Sequence, residues 1–311
     1  MAGVSYRAWG LLFALGGVVG FSFRPILIKL CYGEYPVSPV TLLFLRMTMS
    51  LPFFVFVAWM LGRRDARLQE HRSPLTPRDW TLVGALGFVG YYLASFLDFI
   101  GLQYVGAGIG RLISFLYPTM VVLLSLLFLK RRPAPREVAA LVMTYAGIAL
   151  VVSNQIATTP TDRLFLFGVL MCLANALAYA VYLVAGAELT QRIGSMRFSA
   201  YTMIAATLPA LLQFLILESF DSLDLPARVW GYMLTMVVFS TIVPVFLSAE
   251  ALRRIGANHF ALIGGVSPVV TVFAGAVGLE EPVTLLQVAG SILVISGVLL
   301  VSLTKHPKQA S

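Results

Sequence analysis

The chain has 311 residues, of which 59% are hydrophobic and 12% charged, with a formal net charge of +8. A soluble chain of this length needs a far larger charged surface, so the composition excludes the soluble class and predicts an all-α integral membrane protein. The basic excess sits at segment ends and forms no continuous patch, which removes nucleic acid as a partner and leaves the lipid bilayer.

Crossing a hydrocarbon core of roughly 30 Å takes about 20 apolar residues in a helix. Ten such stretches are read, at 8–31, 38–61, 80–103, 107–129, 136–153, 164–187, 197–217, 229–252, 258–279 and 285–303. The first has one basic residue ahead of it, Arg7, and no small-x-small cleavage pattern, so it is expected to be a retained helix. Cys31 and Cys172 are isolated, and His71, His259 and His306 are dispersed. No disulfide, metal or other cofactor is therefore expected.

Basic residues recur at every second boundary: Arg63 to Arg78, Lys130 to Arg136, Arg192 and Arg197, Arg253 and Arg254, then Lys305 and Lys308. With Arg7, this places 16 of the 22 basic residues on one side, while Glu34, Asp162, Glu218, Asp221, Asp224, Glu280 and Glu281 fall on the other. The positive-inside rule then predicts both termini in the cytoplasm.

Sliding the chain against itself gives a gapless register at an offset of 150 residues, from Arg78–Val152 onto Arg228–Ser302. Trp80 falls on Trp230, Gly106-Ala107 on Gly256-Ala257, Pro118 on Pro268 and Gly147 on Gly297. Trp, Gly and Pro carry more weight here than Leu or Val, since each has a specific interfacial or backbone role. Two five-helix repeats are expected, 1–155 and 156–311, and an odd helix number requires the second to be inverted. Lys130-Arg131 aligning with Glu280-Glu281 agrees: the same loop is basic on one side and acidic on the other.

The motifs Gly20-Phe21-Ser22-Phe23, Phe44-Leu45-Arg46, Tyr91-Tyr92, Ser114 through Pro118, Tyr179 through Tyr182, Ser267-Pro268 and Leu279-Glu280-Glu281-Pro282 run through the chain. In these the sequence resembles the EamA-type ten-helix exporters of the drug/metabolite transporter superfamily. It departs from them at Lys130-Arg131, where the first-half Gly-Glu would stand, and at Arg24-Pro25, where small apolar residues are usual. The resemblance implies a central cavity between the halves and export of amino acids or related small metabolites across a bacterial inner membrane.

Charges inside the bilayer are costly and need a reason. Arg24, Arg46, Asp98 and Arg111 lie within predicted spans and, once oriented, converge in the outer half. They form a candidate electropositive site for a substrate carboxylate, with Asp98 as counter-ion or proton acceptor, which makes protons the candidate coupled ion. Pro118 and Pro268 sit at equivalent places and release the carbonyls of Ser114 and Gly264, which points to paired interruptions near a midplane site. Ser267, beside Pro268, joins Ser114 as a candidate contact, with Tyr91, Tyr92, Tyr117 and Tyr182 as aromatic ones. Tyr179, Asn175 and Ser22 are further polar residues within the spans. A monomeric carrier is expected. A channel, sensor or lipid flippase is the alternative, and an intramembrane enzyme would need grouped nucleophiles and bases that do not stand out.

Overall fold

The structure, a computed structural model, describes residues 2–68, 75–129, 135–158, 163–281 and 283–302, and among these every regular element is helical. Lys130-Arg131, Arg72, Asp162, His71, His306, Lys305 and Lys308 lie outside the described residues. The charge contrast read between Lys130-Arg131 and Glu280-Glu281 therefore has only its second member described.

The elements in order are α1 (Ala2–Ser22), α2 (Arg24–Glu34), α3 (Pro39–Leu68), α4 (Pro77–Gly87), α5 (Ala94–Tyr104), α6 (Ala107–Ser114), α7 (Tyr117–Leu129) and α8 (Pro135–Thr158). The remainder are α9 (Arg163–Ile193), α10 (Ser195–Leu217), α11 (Ala227–Val237), α12 (Val243–Gly264), α13 (Ser267–Gly278) and α14 (Leu285–Ser302). Local chemistry sets many ends. Ser38 caps α3 and Thr76 forms a capping box with Asp79 at the start of α4. Gly194, at φ 89°, makes the turn from α9 to α10.

Among the described residues, seven helical segments are long and apolar enough to cross a membrane: Tyr6–Glu34, Pro39–Arg63, Pro77–Tyr104, Ala107–Leu124, Arg163–Ile193, Ser195–Leu217 and Ala227–Ser248. Three shorter apolar helices, Val138–Val151, Ser267–Gly278 and Leu285–Gly297, fall within the other expected stretches. Their outward residues, among them Leu127, Ile216, Phe273, Val277 and Leu285, are bare hydrocarbon, a surface suited to lipid and not to water. Trp9, Trp59, Trp80 and Trp230 are exposed near helix ends, as headgroup-level anchors are. The chain is a multi-pass membrane protein.

Boundaries differ from expectation where helices run on, with α3 reaching Leu68 and α9 reaching Ile193. The interval 253–257 was expected to be a loop, yet α12 runs through it. Arg254 pairs with Glu250 one turn back at 2.7 Å and its guanidinium lies over the Tyr6 and Phe13 rings, which holds that turn helical.

Several features recur at the sequence offset. A π-helical turn at Phe88–Leu93 links α4 to α5, and another at Val238–Ile242 links α11 to α12. The helix breaks at 115–116 and at 265–266 stand 150 residues apart. Helices α8 and α14 meet through glycine. A Cβ on Gly147 would lie 2.6 Å from the Gly290 carbonyl oxygen, and one on Gly297 would lie 2.8 Å from that of Ala140. Positions 140 and 147 become 290 and 297 under the same shift, so the two close approaches exchange with each other. Helix α1 crosses α12 and the π turn before it equally closely, with Gly17 against Ser248 and Gly20 against Pro244 and the Phe239 carbonyl.

Candidate functional site

Prolines build the site's backbone. Phe23, Leu116 and Val266 each donate their N–H three residues back, to Gly20, Ile113 and Ile263 at 3.3, 3.0 and 3.0 Å. In each case a proline follows two positions later: Pro25, Pro118 and Pro268. Lacking an N–H, each proline gives nothing to the carbonyl four residues earlier, on Phe21, Ser114 and Gly264. A new helix starts instead, with the proline in its first turn, where a missing donor costs little. Pro118 and Pro268 therefore divide their helices, and Pro25 does the same to the first span.

A cavity of about 350 Å³ lies at these breaks. Phe21 and Arg24 line it from the first break, Ser114 and Tyr117 from the second, and Gly264 and Ser267 from the third. The prolines stand behind. Lining positions also pair at the 150-residue offset: Gly90 with Ser240, Tyr91 with Thr241, Ser95 with Val245, Ser114 with Gly264 and Tyr117 with Ser267.

The charged residues expected from the sequence gather here. Arg24 Nη2 meets Asp98 Oδ2 at 2.9 Å. The other carboxylate oxygen accepts from Ser114 at 3.2 Å and from Asn175 Nδ2 at 3.1 Å, and Asn175 also donates to Ser114 at 2.9 Å. Asp98 is thus buried behind the cavity wall with both oxygens engaged. Arg46 is only 3% exposed, donates from Nη1 to Ser95 Oγ at 2.9 Å and lies 5.9 Å from the Phe99 ring centroid. Its Nε, like that of Arg24, is buried without a hydrogen-bond partner. A buried donor left unmade costs about 1–3 kcal/mol, so these two mark where a bound group would be welcome.

Arg111 donates from both Nε and Nη2 to Ser267 Oγ, at 3.0 and 2.5 Å. Ser267 stands 2.7 Å from Ser22, whose hydroxyl donates to the Val18 carbonyl at 2.7 Å. The hydrogens therefore run one way, from Arg111 through Ser267 and Ser22 to the α1 backbone. Thr271 donates to the Ser22 carbonyl at 2.8 Å, which fixes α13 against the α1–α2 break.

The aromatic candidates divide. Tyr91 and Tyr117 line the cavity, and Tyr179 joins them, edge-on to Tyr117 at 5.0 Å. Tyr182 does not. It is 4% exposed, stacked between Tyr179 and Phe198, and lies against Gly90 where a Cβ would not fit. Tyr92 packs between Phe88 and Phe96, away from the cavity. A tyrosine in an apolar span carries no periodic mark that separates core from cavity, so the sequence could not sort them.

Two ends of the cavity differ. It reaches the first turn of α10 at Ser195, Met196 and Ser199, next to Arg192 and Arg197. At the opposite end the helices are tied together. Ser38 bonds Glu218, Thr41 bonds Ser222 at 3.3 Å, and Arg228 pairs with Glu34 at 3.5 Å. The Glu281 carboxylate accepts from the N–H groups of Ala107 and Gly108 at 2.7 and 3.2 Å. These are the first two amides of α6, whose N-cap, Gly106, has no side chain to offer. The role of Glu281 was missed from sequence because its partner stands 174 residues away. Ser95 was missed too, although it sits three positions before Asp98 on the same helical face.

The EamA-like transporter family model matches residues 8–153 and 166–303. The uncharacterized transporter YcbK of Bacillus subtilis (strain 168) is 28% identical over 288 residues, covering 91% of this chain and 89% of its own. An uncharacterized transporter of Archaeoglobus fulgidus is 26% identical over 269 residues, covering 85% and 88%. A solved crystal structure at 18% identity shares the fold, with a TM-score of 0.62 and coverage of 94% of this chain and 96% of that one. With two matched segments that together span most of its length, the chain belongs to the EamA-like transporter family.

Proposed function

We propose that this transporter is a secondary active exporter of small anionic metabolites, working by alternating access across a bacterial inner membrane with both termini in the cytoplasm. The observation that carries this reading is the cavity itself. It is lined by three arginines, reaches the basic end of the bundle and is tied shut at the acidic end.

Ten spans in two inverted halves, 1–155 and 156–311, are part of the proposal. Its support is the 150-residue recurrence of π turns, helix breaks and cavity-lining positions, together with glycine contacts that exchange under that shift. Rocking of such halves about a site between them gives alternating access. The basic loops support a cytoplasmic position for the accessible end, the side from which an exporter loads. Asp98 acts as the internal counter-ion of Arg24, and the arginines hold the anionic group of the substrate.

The test is flux in proteoliposomes. Saturable, gradient-dependent movement of a labelled metabolite identifies a carrier, whereas non-saturating flux identifies a channel. Arg24→Gln and Arg46→Gln should each abolish transport while the protein still inserts and elutes as a folded species. Full activity in both variants overturns the reading.

A further inference from the structure

We infer that the cavity takes a small dianion, one molecule carrying two negative charges, with Arg46 and Arg111 as its two partners. This rests on the cavity being the transport site and narrows what it accepts.

The inference comes from counting which charges are already engaged. The charged neighbours of Arg46 are Arg24 and Asp98, and those of Arg111 are the same two. Among the described residues, three guanidiniums thus share one carboxylate. Asp98 spends one oxygen on Arg24 and the other on Ser114 and Asn175. Glu281 is held by the α6 amides and faces Lys29. Glu250, further along, is paired with Arg254. Arg46 and Arg111 are left with hydrogen bonds to neutral hydroxyls, Ser95 and Ser267, and Arg46 keeps an unpartnered buried Nε.

A hydroxyl satisfies a donor but cancels no charge. In a low-dielectric site two uncancelled cations call for two negative charges. An α-amino acid is the wrong match. Its ammonium would need a free carboxylate, Asp98 is fully engaged, and a zwitterion leaves the formal excess of two in place. A guanidinium fork fits either a carboxylate or a phosphate. Dicarboxylates and phosphate monoesters are therefore the two sources of the required charge, with Tyr117 and Tyr179 as an apolar wall for the connecting carbons.

The experiment uses the full-length purified protein and calorimetric titration at about pH 8, where a phosphate monoester is doubly ionised. Butyrate, succinate and aspartate share a four-carbon skeleton; butyrate has one carboxylate, succinate two, and aspartate two with an ammonium that returns it to the net charge of butyrate, while propyl phosphate supplies the second source. Succinate or propyl phosphate should bind about tenfold or more tighter than butyrate and aspartate, the worth of one further charge-assisted pair. Which of the two binds tighter identifies the source. Arg46→Gln and Arg111→Gln should each erase the advantage over butyrate, while Arg46→Lys and Arg111→Lys, which keep the charge and lose the fork, should retain part of it. Equal binding of butyrate and succinate, tighter binding of aspartate, or no binding of either dianion overturns the inference. Should a Gln variant fail to fold, the wild-type series and the Lys variants still decide.

Failure here is separable from failure of the transport reading. Saturable flux without dianion preference rejects only the dianion. Dianion preference in binding without saturable flux rejects only the carrier.

Discussion

The carboxylate of Glu281 accepts a hydrogen bond from the Ala107 amide at 2.7 Å, so a loop after α13 supplies the N-cap that α6 lacks in its own sequence. A carboxylate at a helix start satisfies stranded donors and complements the positive end of the helix dipole. Glu281→Ala should lower stability by about 1 kcal/mol, and Glu281→Gln by less, because the amide oxygen still accepts. Thermal unfolding in detergent measures both. An unchanged midpoint in the Ala variant would mean that the cap contributes nothing.

Glu280, the preceding residue, has φ 54°, a left-handed conformation that suits glycine. It follows α13 where the Glu281 amide returns to the Gly275 carbonyl at 3.2 Å, so the backbone shape is fixed from both sides. Glu280→Gly should relieve about 1 kcal/mol of strain and raise the unfolding midpoint. A lower midpoint would show that the Glu280 side chain matters more than its backbone.

Asp98→Asn removes the anion facing Arg24 and leaves a cation at the cavity wall with a neutral partner. The expected loss is about 3 kcal/mol, the scale for breaking a buried pair. Adding Arg24→Gln should recover part of it. Equilibrium unfolding of the single variants and the double variant gives the coupling directly, and simple additivity would deny the pair.

Gly147→Ala and Gly290→Ala each place a methyl group against a facing backbone carbonyl between α8 and α14, and should cost about 1–3 kcal/mol. Gly33→Ala and Gly84→Ala are the controls. Both are helical with nothing within 4 Å of the added Cβ, so each should be neutral or stabilising by about 0.5–1 kcal/mol. Equal effects in both sets would locate the role of Gly147 and Gly290 outside the helix contact.

Much of the site could be read before the fold. Arg24, Arg46, Asp98 and Arg111 are conspicuous because a charge in a hydrocarbon span demands an explanation, and alternating basic loops are enough to order them by depth. Pro118 and Pro268 are visible because the register aligns them. Asn175 is different. Nothing local says that its amide faces Asp98 and Ser114, since that depends on how α9 is rotated against α5. The same rotation decides that Tyr179 meets the cavity and Tyr182 does not. Pro25 was legible in kind: it stands two positions past a break just as Pro118 and Pro268 do, but it has no proline at the corresponding place in α9 to flag it. Helix α12 continues past 253–257 because Arg254 finds partners on both its own helix and α1, a contact invisible to hydropathy.

Arg24, Tyr117 and Ser267 each occupy the position just ahead of a break-forming proline, and all three face the cavity. They are three sockets of one shape holding a cation, a phenol and a hydroxyl. The proline and the turn before it fix the backbone whatever side chain is plugged in. Of the three, Tyr117 can be exchanged without breaking a bond to a neighbouring charge, whereas Arg24 is tied to Asp98 and Ser267 to Arg111.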